Sequence, residues 1–237
     1  MVPCIDSGIF YRIMEIVPRG REFYEQTYHY EEDITAPDTK RIVRFFKDVN
    51  LRKDLRFLDI GCGTGAALNY CVQHGLQCFG FDISTRALKL SRLSAKAETV
   101  VADGEMLPYR SAFFDIVSSF GSIEHFSRVE QGLKETSRVT KKGGQVLLVV
   151  PNSYWILNKL QLYKGTEQPQ EILATIGEWA RLFDHCGLMV QTVGKDIGPR
   201  IFKNRHPLGI LKRALLKITL ALPKSFAYQF IFVCRNK

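Results

Sequence analysis

The chain has 237 residues, 46% hydrophobic and 24% charged, which is the composition of an ordinary globular protein with one large α/β domain or two small ones. Its net charge of +9 is not spread evenly: residues 195–237 hold ten Lys/Arg against one acid, Asp196, while the first 194 residues balance, an asymmetry that concerns surface contacts rather than fold. Six scattered cysteines without a C-x-x-C pair signal neither zinc nor a disulfide framework, the start of the chain does not read as a secretory signal, and no apolar run is long enough for a membrane span, so a cytoplasmic protein is expected.

Residues 1–50 read as an aromatic and charged N-terminal helical cap, with a helix predicted from about 37 to 50 because Ile42, Phe45, Phe46 and Val49 share one face. "LRFLDI" is a short strand that runs into the glycine loop "GCGTG", and "AALNYCVQHG" is a helix closed by Gly75. "LQCFGFDI" is a second strand ending in Asp82, followed by a helix over "STRALKLSRLSAKA" with Ser84 as its N-cap. "ETVVADGE" stops near Asp103 as a third strand, and "FFDIVSSF" is a fourth. The helix "VEQGLKETSRVT", a turn at "KKGG" and the fifth strand "QVLLVVPN" come next. A helix over about 170–186 turns Trp179, Leu182 and Phe183 inward, and "LMVQTVGKD" and "FAYQFIFVC" are two late strands. Strands that are apolar throughout and alternate with helices predict a parallel sheet covered on both faces.

In such open α/β sheets ligands bind beyond the carboxyl ends of the strands. Gly61, Gly63 and Gly65 permit backbone conformations closed to other residues and let a ligand approach the main chain. A phosphate loop would need Gly-Lys-Ser/Thr, which is missing. The spacing is G-x-G-x-G rather than the dinucleotide G-x-G-x-x-G. Asp59, just before the loop, would sit poorly beside a pyrophosphate and suits a ligand with a positive end, such as an amino group or a sulfonium. Taken alone the loop could still be a tight strand-to-helix turn.

"LDIGCGTG" resembles motif I of the class I S-adenosylmethionine-dependent methyltransferases. The likeness continues through "FDIS", "ADGEMLPY", "FDIVSSFGSIEHF" and "KKGGQVLLVVPN" in the family's order, over roughly residues 55–195, and is nearest to the small-molecule, methyltransferase type 11-like branch. It implies a Rossmann-like, doubly wound, seven-stranded, mostly parallel sheet with an antiparallel last strand and helices on both faces. The resemblance further implies S-adenosyl-L-methionine as cofactor. Asp59, Gly61, Cys62, Gly63 and Gly65 would lie at its methionine end, Asp82 would accept from the ribose hydroxyls, and Ile83 would pack on the adenine. Asp103 would accept from the adenine amino group, with Gly104 and Glu105 lining that pocket and Phe120 near the methionine part. Three acids at three successive strand ends form one rim, which a set of unrelated helix caps would not produce.

Methyl transfer asks the protein to align the reacting atoms and to remove a proton where one must leave. His125, just after the fourth strand, is the candidate base, although His125 and Glu124 would also serve simply to cap or orient the next helix. Some similar quinone methyltransferases bind a divalent metal through an extra acid three residues before that Glu. Gly121 stands there in this chain, so no metal is expected. Tyr24, Tyr28 and Tyr30 are candidates for a lid over the cofactor, and Tyr154, Trp155 and Tyr163 for substrate walls, with core packing as the alternative in both cases. "HPLGILKRALLKITLALPK", within a basic insertion over 196–224, places Leu211, Leu215, Ile218 and Leu222 on one helical face and Arg213, Lys217 and Lys224 on another. Such a segment over 207–224 suits peripheral membrane contact and a lipid-like acceptor, or else packs on the core. Nucleic acid is disfavoured as a partner because "SFGSIEHF" stands where base-amine methyltransferases carry an Asn/Asp-Pro-Pro-aromatic motif. The expected function is methyl transfer to a small-molecule or lipid-linked acceptor by a single domain (cap 1–50, core 51–195, insertion 196–224, last strand 225–237). The alternatives are a non-catalytic S-adenosylmethionine-binding partner or a nucleic-acid methyltransferase.

Overall fold

A computed structural model of the chain describes residues 23–25, 39–154, 171–196 and 223–237. Their elements run α1 (Thr39–Phe45), β1 (Arg56–Ile60), α2 (Ala66–Gln73), β2 (Gln77–Asp82), α3 (Thr85–Ser94), β3 (Glu98–Val101), β4 (Phe114–Phe120), α4 (Val129–Val139), β5 (Thr140–Pro151), α5 (Ile176–His185), β6 (Leu188–Asp196) and β7 (Gln229–Asn236). All seven strands join one sheet in the order β3-β2-β1-β4-β5-β7-β6. β1 pairs in parallel with β2 and β4, β2 with β3, and β4 with β5, whereas β7 is antiparallel to both β5 and β6. This is the predicted Rossmann-like sheet, with the strand order reversing between β1 and β4.

The two-residue period of a strand explains how both faces become core. In β1, Leu58 and Ile60 enter one apolar cluster with Phe114, Trp179 and Phe183, and Phe57 enters the other with Phe45, Leu68 and Leu88. All three β1 residues are fully buried. Trp179 is anchored as well as packed: its indole N–H donates to the Pro151 carbonyl at 3.0 Å and its ring stacks on Phe183. The helix carrying it opens with a capping box, in which Thr175 Oγ1 accepts from Glu178 N and Glu178 Oε2 accepts from Thr175 N.

Two predicted boundaries shift for identifiable reasons. The helix expected over 37–50 is regular only to Phe45, after which tight turns (Lys47 N to Arg44 O, Val49 N to Phe46 O) carry Phe46 and Val49 into the same apolar face. "KKGG" is not a free turn but the opening of β5: the register steps from Phe114 opposite Thr140 to Ile116 opposite Gln145. The intervening residues bulge, with Gly143 at φ +71° and Lys141 Nζ bonded to Asp115 at 2.5 Å. Tyr28, Tyr30, Trp155, Tyr163 and the predicted amphipathic face from Leu211 to Leu222 lie outside the described residues. Among the described residues no helix is long and apolar enough to cross a membrane.

Candidate cofactor-binding and active site

The rim is built by the loops that leave β1, β2, β3 and β4. After Ile60 the chain turns through Gly61 (φ +65°), Gly63 (+49°) and Gly65 (+84°), left-handed conformations that disfavour any side chain, and Gly65 then opens α2. A Cβ at Gly61 would stand 2.3 Å from Ser122 Oγ, so this glycine also lets the loops after β1 and β4 touch. Cys62 is buried, and its N–H donates to Phe81 O at 2.9 Å, tying the loop to β2.

Asp82 organises the next loop. Its two oxygens accept from Gly63 N and Ser84 N, each at 2.9 Å, joining the glycine loop to the start of α3. Burial raises its carboxyl above the ordinary aspartate range against the pull of those amides. Ile83, partly exposed, lies between Asp82 and the N-cap Ser84, whose hydroxyl accepts from Ala87 N as predicted. Asp59 is buried at the end of β1 and accepts from Ser118 Oγ at 2.6 Å; burial pushes its carboxyl up to about 7.

Asp103, past the end of β3, accepts from Glu105 N at 2.9 Å and is likewise raised by burial. Glu105 is buried and engaged by Arg128, whose backbone N and Nε each donate to it at 2.7 Å. Gly104 receives the Phe126 ring: a Cβ there would meet Phe126 Cζ at 2.1 Å, and Gly132 makes the same space from the other side. Phe120 closes β4 and stacks on Phe45 at 5.1 Å, so the first helix backs the strand that would face the methionine part.

Beyond Phe120 the chain passes through Gly121 (φ +70°) into a short 3-10 turn, Ile123–His125. His125 is almost buried, and its Nε2 lies 4.0 Å from Glu124 Oε1. Glu124, 1% exposed, has no hydrogen-bond partner at Oε2, and burial followed by the nearby Glu171 pushes its carboxyl up to about 8. Among the described residues no three His, Cys, Asp or Glu side chains cluster as a metal site would require. Sequence reasoning read Glu124 only as a cap or as part of a metal site. Ile172 N donates to the Glu124 carbonyl at 3.0 Å, a distant contact that no local pattern records.

Asp59, Asp82, Asp103 and Glu124 thus line one rim as carboxyls that burial holds above their ordinary range. A ligand bringing positive charge and several hydrogen-bond donors fits that set, and a phosphate does not. S-adenosylmethionine has a sulfonium, an ammonium, ribose hydroxyls and an adenine amine, so the residues fit it.

A seven-stranded sheet with a glycine loop and an acidic rim at its reversal point defines a Rossmann-like domain of the methyltransferase type. Residues 58–148 match the family model described as "Methyltransferase domain", over the stretch that carries the resemblance to the class I S-adenosylmethionine-dependent methyltransferases. It is 33% identical over 130 residues to a Mus musculus protein named probable tRNA methyltransferase 9B, covering 54% of this chain and 28% of that one. It is 32% identical over 106 residues to norajmaline N-methyltransferase of Rauvolfia serpentina, covering 41% and 36%. The chain therefore spans well under half the length of these relatives. Among solved structures, a complex of the Haloferax volcanii Trm112 methyltransferase activator with a methyltransferase contains a chain of the same fold (TM-score 0.68, 17% identity, 93% of this chain and 99% of that one).

Proposed function

We infer that the protein transfers a methyl group from S-adenosylmethionine to a small-molecule or lipid-linked acceptor. The observation that carries this is the rim itself: buried acids at successive strand ends, tied to the glycine loop through Asp82, with Glu124 and His125 beside them. The cofactor, when bound, supplies an electrophilic methyl group on sulfonium. Asp82 and Asp103 would accept from its ribose and adenine ends, and Asp59 would face the positive methionine end. These side chains would hold the cofactor on the rim, where the loop after β4 also lies. His125 would take the proton that the acceptor's nucleophilic atom loses. Glu124 Oε1 lies 4.0 Å from the imidazole Nε2.

Calorimetric titration of S-adenosylmethionine into the wild-type protein and Asp82→Ala tests this directly. Binding of roughly −8 kcal/mol, the micromolar range, that weakens in the variant is expected. A folded wild-type protein that binds neither S-adenosylmethionine nor S-adenosylhomocysteine would refute it.

A second reading, a nucleic-acid acceptor, is favoured by the likeness to the mouse protein named as a tRNA methyltransferase and by the basic residues beyond Lys195. Co-sedimentation with anionic vesicles against retention of unmodified tRNA separates the two. Neutralising Arg213 and Lys217 should weaken whichever interaction is real.

A further inference from the structure

The four rim acids differ in how the chain serves them. Asp59 takes the Ser118 hydroxyl, Asp82 takes the Gly63 and Ser84 amides, and Asp103 takes the Glu105 amide. Glu124 is as buried as Asp59, yet its Oε2 accepts from nothing and its Oε1 has only the His125 Nε2 at 4.0 Å. Among the described residues no Lys or Arg pairs with it. A buried carboxyl oxygen without a donor costs free energy that the fold itself does not recover, so it marks a place where a group from outside the chain would complete the set.

The surroundings of Glu124 leave room for such a group and define its charge. Gly121 directly follows Phe120, and a Cβ built on it would have Glu124 Oε1 at 3.7 Å and, among the described residues, no other atom within 4 Å. Space therefore adjoins the carboxyl on the side of the strand end. The bond from Ile172 N to the Glu124 carbonyl brings the preceding residue, Glu171, to the same turn. An anion is excluded by this pair, and a hydroxyl would satisfy one oxygen while leaving the two acids uncompensated. An ammonium group supplies both N–H donors and positive charge. Amine and hydroxyl acceptors also differ in where charge ends. A hydroxyl gives up its proton and becomes a neutral ether. An ammonium passes one proton to His125, and its freed lone pair forms the nitrogen–carbon bond as the carbon–sulfur bond breaks and that pair stays on sulfur. The product nitrogen then carries the positive charge that sulfur has lost, so a carboxylate beside it serves the end of the reaction as well as the start.

We propose that Glu124, with Glu171 beside it, binds the acceptor, and that the acceptor is a primary or secondary amine taken up as its ammonium form. This assignment rests on the methyl-transfer reading of the rim and narrows its acceptor. With no cation present, burial and Glu171 hold the Glu124 carboxyl up at about 8, so it is protonated near neutral pH. An ammonium that docks against Oε2 displaces that proton.

The test uses the full chain saturated with S-adenosylhomocysteine, and dimethylammonium chloride as probe. Sodium chloride and tetramethylammonium chloride at equal concentration are the controls. Dimethylammonium carries two N–H donors and is small enough that shape adds no further demand. Carbon-13 signals of labelled glutamate carboxyls, assigned by Glu124→Gln and Glu171→Gln, report the charge of each acid near pH 7. The Glu124 signal should move from the protonated to the ionised position with half-saturation between about 1 and 50 mM, the range open to so small a ligand. In Glu171→Gln the same change should need about fivefold more probe. In Glu124→Gln the Glu171 signal should no longer respond. A Glu124 signal that the probe does not move, or that sodium or tetramethylammonium moves equally, would overturn the assignment. Methylation of a hydroxyl acceptor whose amine counterpart is not turned over would equally overturn it. If S-adenosylhomocysteine does not bind, the methyl-transfer reading fails and the titration is repeated on the free protein. A saturable shift specific to dimethylammonium there keeps the cation site while the transfer step falls, so the two failures are distinguishable.

Discussion

Replacing Asp59 with asparagine should make the ligand-free protein more stable at neutral and alkaline pH while weakening its hold on the cofactor. The carboxyl is buried, has one hydrogen bond, from Ser118 Oγ at 2.6 Å, and is pushed up to about 7 by burial, with the charge of Asp82 adding to the shift. A carboxyl raised on folding keeps its proton in the native state after the unfolded chain has lost it. Wild-type stability therefore falls as pH rises from about 4, the unfolded value, to about 7, and levels off above that. The slope is about 1.4 kcal/mol per pH unit, so three units set a ceiling of about 4 kcal/mol. Structural relaxation and water entry lower this, and about 2 kcal/mol is the working expectation. The amide accepts the same Ser118 bond and carries no charge, so Asp59→Asn should lack this component. Slopes from Asp103 and Glu124 occur in both proteins and cancel in the difference, whereas the repulsion between Asp59 and Asp82 is lost in the variant and belongs to the gap. Urea denaturation of both proteins at intervals from pH 4 to 8.5, without ligand, measures the gap, and calorimetry with S-adenosylmethionine measures the functional loss. Parallel stability curves, with no gap opening between pH 4 and 7, would refute the claim that this carboxylate is buried without a compensating cation.

Gly61→Ala should cost about 2 kcal/mol or more in thermal or urea unfolding and remove cofactor binding, because the residue has φ +65° and its Cβ would stand 2.3 Å from Ser122 Oγ. Gly143→Ala, at φ +71° with open space around it, should cost only about 1 kcal/mol of backbone strain and leave binding intact. Trp179→Ala should destabilise by about 3–5 kcal/mol in the same assays, since it empties a fully buried site and leaves the Pro151 carbonyl without its 3.0 Å donor. Arg41→Ala should cost about 2 kcal/mol, because it takes the 2.9 and 2.6 Å guanidinium bonds from Asp196, which is fully buried, and leaves it only Arg44 at 3.7 Å; an additional Asp196→Asn change should recover part of that loss.

The strand order and the rim were legible because each β-α unit carries its own local signal. An apolar run stopping at Gly61, at Asp82 or near Asp103 marks a strand end, and Ser84 marks the helix after it. The likeness to a known family ordered those signals into one sheet. What was not legible depends on distant partners. "KKGG" has the residues of a turn, yet it opens a strand because residues 145–151 ladder onto β7 and Arg235 Nη1 bonds to the Gly143 carbonyl at 2.7 Å. Nothing local to Gly104 shows that the Phe126 ring fills the place of its missing side chain. Nothing local to Glu25 shows that its carboxylate accepts from Thr85 N at 2.7 Å and Arg86 N at 3.2 Å, about sixty residues further on. Phe120 was expected beside the ligand, and its stacking on Phe45 depends on where the first helix lands.

The strand order also sets a timetable for synthesis. Asp59, Asp82, Asp103 and Glu124 all precede Pro151, so the parallel half of the sheet, β3-β2-β1-β4-β5, is complete in sequence before any residue of β6 or β7 is made. A chain emerging from the ribosome therefore has every carboxylate of its rim available while β5 still presents an unpaired edge. β6 arrives next but has no place in the sheet, because its neighbour is β7 and not β5. Only when residues 229–236 slide between the two does the antiparallel half close. The nascent protein thus passes through an interval in which the ligand site precedes the finished sheet. A chaperone, or the cofactor itself, would have most to offer the chain during that interval.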